Sequence, residues 1–342
     1  MPEEPVPAPA VIVLGASAGG VEALSAVVAN FPPDLPAAVM AVLHLPSKRF
    51  SVLPAILSRA GPLPARHPAD GELLVAGTVY VAPPDHHLSI RDGRARLARG
   101  PREYGHRPSV DVLFRSAAEA YGPAACGVVL SGYLDDGAAG LAAVRRAGGF
   151  TIVQDPEDAI FPDMPTAAAE LVRPDVVCPA AAVYRCLSAW LDGVRRGPPP
   201  RPAAAVPDPP DEGGRPEIEP TEFTCPECGG TLWLADEHGA LRYRCRVGHG
   251  YSATGLLAGK QEALEAALWS AVVALEERRD LNRRIRDRLG AGEGHRRAYY
   301  DREIMESERR AQVLRDLFED LVEAVEDVGE KAGEDVEEEE DG

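Results

Sequence analysis

Along the first 196 positions, apolar residues come in two alternating forms: short unbroken runs, and longer stretches in which they recur every three or four residues. An unbroken run of four to six marks a strand buried on both faces, and the three-and-four spacing marks the buried face of a helix. The runs predict strands at Val11 to Leu14, Ala38 to Leu43, Thr78 to Ala82, Cys126 to Leu130, Phe150 to Val153 and Asp175 to Val177. Helices are predicted at Gly20 to Asn30, Val52 to Arg59, Ser109 to Tyr121, Gly137 to Ala147, Pro165 to Leu171 and Ala180 to Arg195. Regular alternation of this kind predicts an α/β fold with a doubly wound, mostly parallel sheet over residues 11–196. One stretch departs from it: Leu88 to Leu97 alternates about Asp92-Gly93, the pattern of an antiparallel hairpin.

The pattern then stops. Residues 197–220 hold nine prolines among glycines and acids, a composition that buries no core and predicts a semi-rigid linker. A compact Cys/His segment, 221–252, follows. Two helical stretches come next, 253–289 with apolar Leu264, Leu268, Ala271, Leu275, Ile285 and Leu289, and one after Gly290 to Gly294 with apolar Ile304, Ala311, Leu314, Phe318, Leu321 and Val325. One stripe on each predicts a helical hairpin or dimerising coiled coil over 253–328, and a face for a second copy or a signalling partner.

Charge changes this picture little. Net charge is −18, but ten acids against one lysine lie between Glu326 and Gly342, so half of the excess is local. That run of like charge predicts a disordered acidic tail at 329–342, and residues 1–10 are expected to be disordered as well. No basic patch gives the footprint of a nucleic-acid binder. The N-terminus lacks the positive start of a secretory signal, and no apolar run reaches the ~18 residues of a membrane span, so no membrane insertion and a cytoplasmic location are expected. Six cysteines in 342 residues, three of them clustered with a histidine, suit a reducing compartment and a metal better than a disulfide framework.

Candidate chemistry begins where the first strand ends. Gly15-Ala16-Ser17-Ala18-Gly19 fits G-x-S-x-G, in which a tight strand-to-helix turn holds a serine hydroxyl clear of the sheet. Ser17 stands where a dinucleotide fingerprint wants glycine, and no Gly-Lys precedes the helix as in a P-loop. A serine nucleophile needs a base and a group that orients it. His44 follows the second predicted strand and Asp135-Asp136 follow the fourth, so Ser17, His44 and Asp136 all lie past the C-terminal ends of strands, the edge where open parallel sheets bind ligands. The ordinary alternatives are a structural histidine and an Asp pair capping a helix.

Several segments together resemble the catalytic domain of the chemotaxis protein-glutamate methylesterases, the CheB family. They are Gly15 to Gly20, His44-Leu-Pro46, Gly77 to Pro84, His106 to Phe114 and Leu130 to Ala138, in the family's order over nearly all of residues 11–195. The resemblance implies a methylesterase-like, Rossmann-like fold and a serine hydrolase that needs no cofactor. Its substrates would be glutamyl methyl esters on a methylated chemoreceptor-like protein, with deamidation of receptor glutamines in some members. It implies Ser17 as nucleophile, His44 as general base and Asp136 as the acid orienting it. Amides of Ala18 and Tyr133 are the oxyanion candidates, and His106 and Arg107 are candidates for binding substrate; the alternative for Arg107-Pro108 is a helix start. The order Ser, His, Asp differs from that of α/β-hydrolases. Ala18, Tyr133-Leu134 and Asp163 stand where the family commonly has Thr, Met-Gly and Gly, departures that bear on substrate preference rather than reaction type. The hydrolase pattern begins at Val11, so a stand-alone form without the family's receiver domain is expected. The rival reading is a non-catalytic scaffold of a chemosensory pathway that keeps the fold.

In the second segment, Cys225-Pro-Glu-Cys228 and Cys245-Arg-Val-Gly-His249 flank a hairpin signal, Thr231 to Ala235 and Leu241 to Cys245 about Asp236 to Gly239. Four soft ligands on two turns predict a zinc-ribbon-like segment with structural zinc on Cys225, Cys228, Cys245 and His249. Four ligands leave no open position, so the metal is not expected to be catalytic.

Overall fold

The structure, a computed structural model, describes residues 7–44, 51–196, 219–237, 240–290 and 293–338. Residues 1–6, Leu45 and Pro46, 197–218 of the linker, the hairpin tip at 238–239, 291–292 of the helix break and 339–342 of the tail, on all of which expectations fell, lie outside the described residues. The chain divides into two compact units, Met1–Leu257 and Ala258–Gly342.

The first unit runs β1 (Val11–Ala16), α1 (Gly20–Ala29), β2 (Ala38–Leu43), α2 (Leu53–Ala60), β3 (Ala65–Arg66), β4 (Val79–Val81), β5 (His87–Arg91), β6 (Arg94–Ala98) and α3 (Val110–Tyr121). It continues with β7 (Ala125–Val129), α4 (Ala138–Arg146), β8 (Phe150–Gln154), α5 (Asp163–Val172), β9 (Val176–Cys178) and α6 (Val183–Arg196). Seven of these strands form one sheet in the order β3-β4-β2-β1-β7-β8-β9, and every neighbouring pair is parallel. β1 and β2 are buried at every position, because helices cover both faces: α1 packs with α2, and α4 with α3 and α5. The β5–β6 hairpin pairs Leu88 with Leu97 and packs against α3. From β1 the chain moves out to β2 on one side and later returns to β7 on the other, so the order reverses between β1 and β7. A crevice at such a reversal, beyond the C-terminal ends of the strands, is where this architecture binds ligands.

The same compact unit holds a second, antiparallel sheet of order β10 (Glu219–Thr224), β11 (Thr231–Glu237), β12 (Ala240–Cys245) and β13 (Gly250–Tyr251). Its core is small: Cys225, Leu232, Cys245, Tyr251 and Leu256. The sequence predicts β11 and β12 but neither flanking strand, and β10 starts inside the stretch read as linker.

The second unit holds α7 (Ala253–Asp287) from Ala258 onward and α8 (Gly294–Glu338), which meet the predicted break at residues 290–294. Arg286 pairs with Asp301, Arg278 with Glu303 and Glu276 with Arg315, while Trp269 packs edge-on against Phe318 at 5.0 Å. As one residue number falls the other rises, so the two helices run antiparallel as a hairpin. α8 reaches Glu338, well into the stretch read as a disordered tail. Among the described residues no helix is long and apolar enough to cross a membrane.

Candidate active site

Strand register brings Ser17 and His44 together. β1 and β2 pair Ala16 with Leu43, and the His44 amide donates to the Ala16 carbonyl at 3.2 Å, so the next residue on each strand, Ser17 and His44, are neighbours past the sheet edge. On the other side the Ser17 amide donates to the Ser131 carbonyl at 2.9 Å, tying the turn at Ser17 to the end of β7. Gly15 has a specific reason to be glycine: a Cβ there would lie 2.2 Å from Val110 Cγ1.

Asp136 is fixed at the N-terminus of α3. Its Oδ2 accepts the Val110 amide at 2.8 Å, and its Oδ1 accepts the Asp111 amide at 2.9 Å and the Ser109 hydroxyl at 3.0 Å. The first turn of a helix offers unpaired amides and the positive end of its dipole, which suits a buried carboxylate. His44 Nε2 lies 2.8 Å from Asp136 Oδ2, and both side chains are buried. Burial works against charge on Asp136, but the bond to and charge of His44, together with the Asp111 and Val110 amides, outweigh it and hold the carboxyl below its ordinary range. An ionised Asp136 can only accept, so the proton of neutral His44 sits on Nε2. Nδ1 is then a buried lone pair, and among the described residues it has no hydrogen-bond partner. An Asp–His pair so arranged can act as a base whose tautomer the acid fixes.

The oxyanion and substrate candidates separate. The amides of Ala18 and Tyr133 make no backbone hydrogen bond among the described residues, and Tyr133 is exposed with its ring 4.5 Å from that of Phe161. Leu134 beside it sits at φ 61°, a left-handed conformation that costs a non-glycine residue roughly 1–2 kcal/mol. His106 stacks on His44 with ring centroids 3.9 Å apart. Burial, then the neighbouring His44, pulls His106 down to about 4, so it stays neutral at pH 7. The guanidinium of Arg107 is engaged elsewhere: Nε and Nη2 donate to Asp85 Oδ1 at 2.9 and 2.5 Å, and Nη1 to the Gly100 carbonyl at 2.6 Å. These bonds brace the loop that carries Asp85 and Gly100 and use three of the five guanidinium donors.

Residues 12–187 match the family model for the CheB methylesterase domain. The chain belongs to the CheB methylesterase family. It is 42% identical over 182 residues to a protein-glutamate methylesterase/protein-glutamine glutaminase of Xanthomonas campestris, covering 52% of this chain and 51% of that one. Over 188 residues it is 42% identical to one of Anaeromyxobacter dehalogenans, covering 54% and 55%. The chain thus spans about half the length of the curated relatives it matches. The crystal structure of the Thermotoga maritima CheB methylesterase catalytic domain superposes with a TM-score of 0.50 at 30% identity, over 54% of this chain and 97% of that one. The parallel α/β sheet described above is therefore the CheB catalytic fold.

Within this CheB domain, sequence reasoning missed the groups that hold Asp136. Ser109 precedes α3 and reads as an N-cap, yet its hydroxyl goes to Asp136, not to its own helix. His87, also buried, takes the Ser109 amide on Nδ1 at 3.3 Å and donates Nε2–H to the Pro101 carbonyl at 2.8 Å. The available signal was Ser109-Val-Asp111 inside a motif already singled out, just ahead of a helix.

Outside the CheB match, Cys225, Cys228, Cys245 and His249 do converge, with one ligand atom from each within 4.8 Å of all the others. His249 Nδ1 lies 3.5 Å from both Cys225 Sγ and Cys245 Sγ, and Cys228 Sγ lies 3.6 Å from Cys245 Sγ. A tetrahedral zinc with bonds of ~2.3 Å to sulfur and ~2.0–2.1 Å to nitrogen would set those edges at about 3.5 and 3.8 Å. On its far side His249 Nε2 stands 3.4 Å from Glu227 Oε2, an acceptor that puts the proton on Nε2 and leaves Nδ1 to bind.

Proposed function

We propose that this chain is a serine hydrolase that demethylates glutamyl methyl esters on chemoreceptor-type proteins and deamidates glutamines at such sites. The buried Asp136–His44 pair carries this reading, because it leaves His44 Nδ1 unpartnered among the described residues, one residue past the strand pair that Ser17 also follows. His44 takes the Ser17 proton as Oγ adds to the ester carbonyl, and the oxyanion forms against the amides of Ala18 and Tyr133. On collapse the C–OCH3 bond breaks, His44 returns the proton to the leaving oxygen, and methanol departs. Water, deprotonated by His44, then releases the glutamate carboxylate and restores Ser17. No step needs a cofactor. With a glutamine substrate the leaving group is ammonia. Six cysteines, three of them clustered with His249, suit a reducing compartment, the cytoplasm.

Incubated with receptor carrying radiolabelled methyl esters, the chain should release volatile methanol, and a fluorophosphonate should add to Ser17 alone, as read by peptide mass spectrometry. Absence of both would remove the reading.

We further propose that Cys225, Cys228, Cys245 and His249 hold one structural zinc, making the small sheet ribbon-like. Its few core residues explain the need for such a staple. Elemental analysis of purified protein is expected to give one zinc per chain, and Cys245→Ser less than half of that; a folded, metal-free small sheet would overturn the assignment.

A further inference from the structure

One arginine of the small sheet is buried against the catalytic domain. Arg242, on β12, is 2% exposed and pairs through Nη2 with Asp111 Oδ2, on the first turn of α3. Its guanidinium stands 4.5 Å over the ring of Tyr104, whose hydroxyl donates to the same Asp111 oxygen at 2.8 Å. The backbone joins the same two parts, the Tyr104 amide donating to the Gly250 carbonyl at 2.7 Å. Ser252, after β13, donates its hydroxyl to Asp135 Oδ1 at 2.9 Å.

These contacts converge on the two neighbours of Asp136. Asp135 is held by Ser252. Gly137 donates its amide at 3.1 Å to Asp111 Oδ1, which also takes the Gly140 amide at 2.6 Å. The Asp111 amide is itself one of the donors to Asp136. Burial and the charge of Asp136 push the Asp111 carboxyl up, and Arg115 and the Gly140 amide pull it back; Arg242 donates to the same carboxyl, on Oδ2. Facing Asp111 are also Arg115, 3.8 Å away, and Glu103, which pairs with Arg115 at 2.7 Å and lies 3.8 Å from Arg242 and 3.6 Å from Arg244. Facing His44 are Asp136 and the ring of His106, with Asp135, His87 and Arg102 in the shell beyond.

We propose that Arg242 is a positioning residue of the hydrolase site: supplied by the small sheet, beyond the family-matched residues, it compensates Asp111 and thereby fixes Asp136 and the charge balance around His44. This rests on the esterase reading of Ser17, His44 and Asp136. A bare Asp111 charge favours the imidazolium form of His44, and a bare Arg242 charge disfavours it. The two single substitutions therefore act in opposite directions on the acid limb of the reaction.

The test is the pH profile of Ser17 phosphonylation by a fluorophosphonate, measured on the full chain, which needs no receptor. Arg242→Ala is expected to move the acid limb up by roughly half a pH unit or more, and Asp111→Asn to move it down by a similar amount. The double variant should return it to the wild-type position, and Arg242→Lys, which keeps the charge, should leave it there. If Arg242→Ala and Asp111→Asn lower the melting temperature but leave the limb unmoved, Arg242 only holds the sheet on and the proposal is overturned. Should Arg242→Ala fail to fold, Arg242→Gln, which keeps a donor without the charge, takes its place, an upward limb supporting the proposal and an unmoved limb overturning it. A wild-type chain that takes no adduct at Ser17 removes the esterase reading, and this proposal with it; a labelled wild type with unmoved limbs removes the proposal alone.

Discussion

Asp136→Asn is expected to lower the turnover number about 10⁴-fold, the loss typical when the orienting acid of a serine hydrolase becomes an amide. The geometry explains why an amide flip could restore the tautomer only by leaving a buried backbone amide unpaired. Each carboxylate oxygen accepts a backbone amide, Oδ2 from Val110 and Oδ1 from Asp111. An asparagine must therefore turn its NH2 against one of these donors, whichever way it sits. With NH2 at the Oδ2 position it also faces His44, drives the proton onto Nδ1 and removes the lone pair that Ser17 needs. With NH2 at the Oδ1 position the tautomer survives, but the Asp111 amide is left buried and unpaired, at about 1–3 kcal/mol. Thus Asp136→Asn should lose stability as well as rate, whereas Ser109→Ala, which removes only a hydroxyl donor, should cost far less of both. Initial rates of methanol release and a thermal melt measure the pair. A drop of less than tenfold in Asp136→Asn would show that Asp136 does not orient the base.

The contrast between Asp136 and its partners also marks what the sequence discloses. β1 and β2 are legible because both of their faces are buried, which leaves unbroken apolar runs, and Ser17 and His44 are legible because they end those runs. Asp136 shares this property, lying just past β7. The residues that hold it, Ser109, Val110 and Asp111, are 25 to 27 positions away and meet it only through the packing of α3 on β1, which no local pattern records. In the small sheet the pattern is misleading. Alternation in Leu241-Arg-Tyr-Arg would bury Leu241 and expose Arg242, yet Leu241 is 57% exposed and Arg242 2%. The inversion has an electrostatic cause: a buried carboxylate, Asp111, waits on the other side of the interface, and a paired arginine is buried where a lone one would not be. β10 has no apolar face to announce it, since five of its six residues are exposed, and β13 is two residues long.

Gly132→Ala should strike the same site from the other side, through space rather than charge. A Cβ at Gly132 would lie 2.2 Å from Met164 Sδ, 2.7 Å from Ser17 Cβ and 3.1 Å from the Ser17 amide nitrogen. The backbone has little room to retreat, because the Gly132 amide donates to the Phe161 carbonyl at 3.0 Å and its carbonyl accepts the Met164 amide at 2.9 Å. A thioether can swing away, but the nucleophile turn cannot, being tied to Ser131 by its own amide. The methyl group therefore moves Ser17 relative to His44, and a displacement of about 1 Å at a reacting centre costs on the order of 10²-fold in rate. Overpacking adds a stability loss of about 1–3 kcal/mol. The two effects part in the double variant Gly132→Ala/Met164→Ala: removing the thioether relieves one clash, so the melting temperature should recover while phosphonylation of Ser17 stays slow. Recovery of both would mean that Met164, not Ser17, bears the strain, and that the close approach of Gly132 to the nucleophile has no part in aligning it.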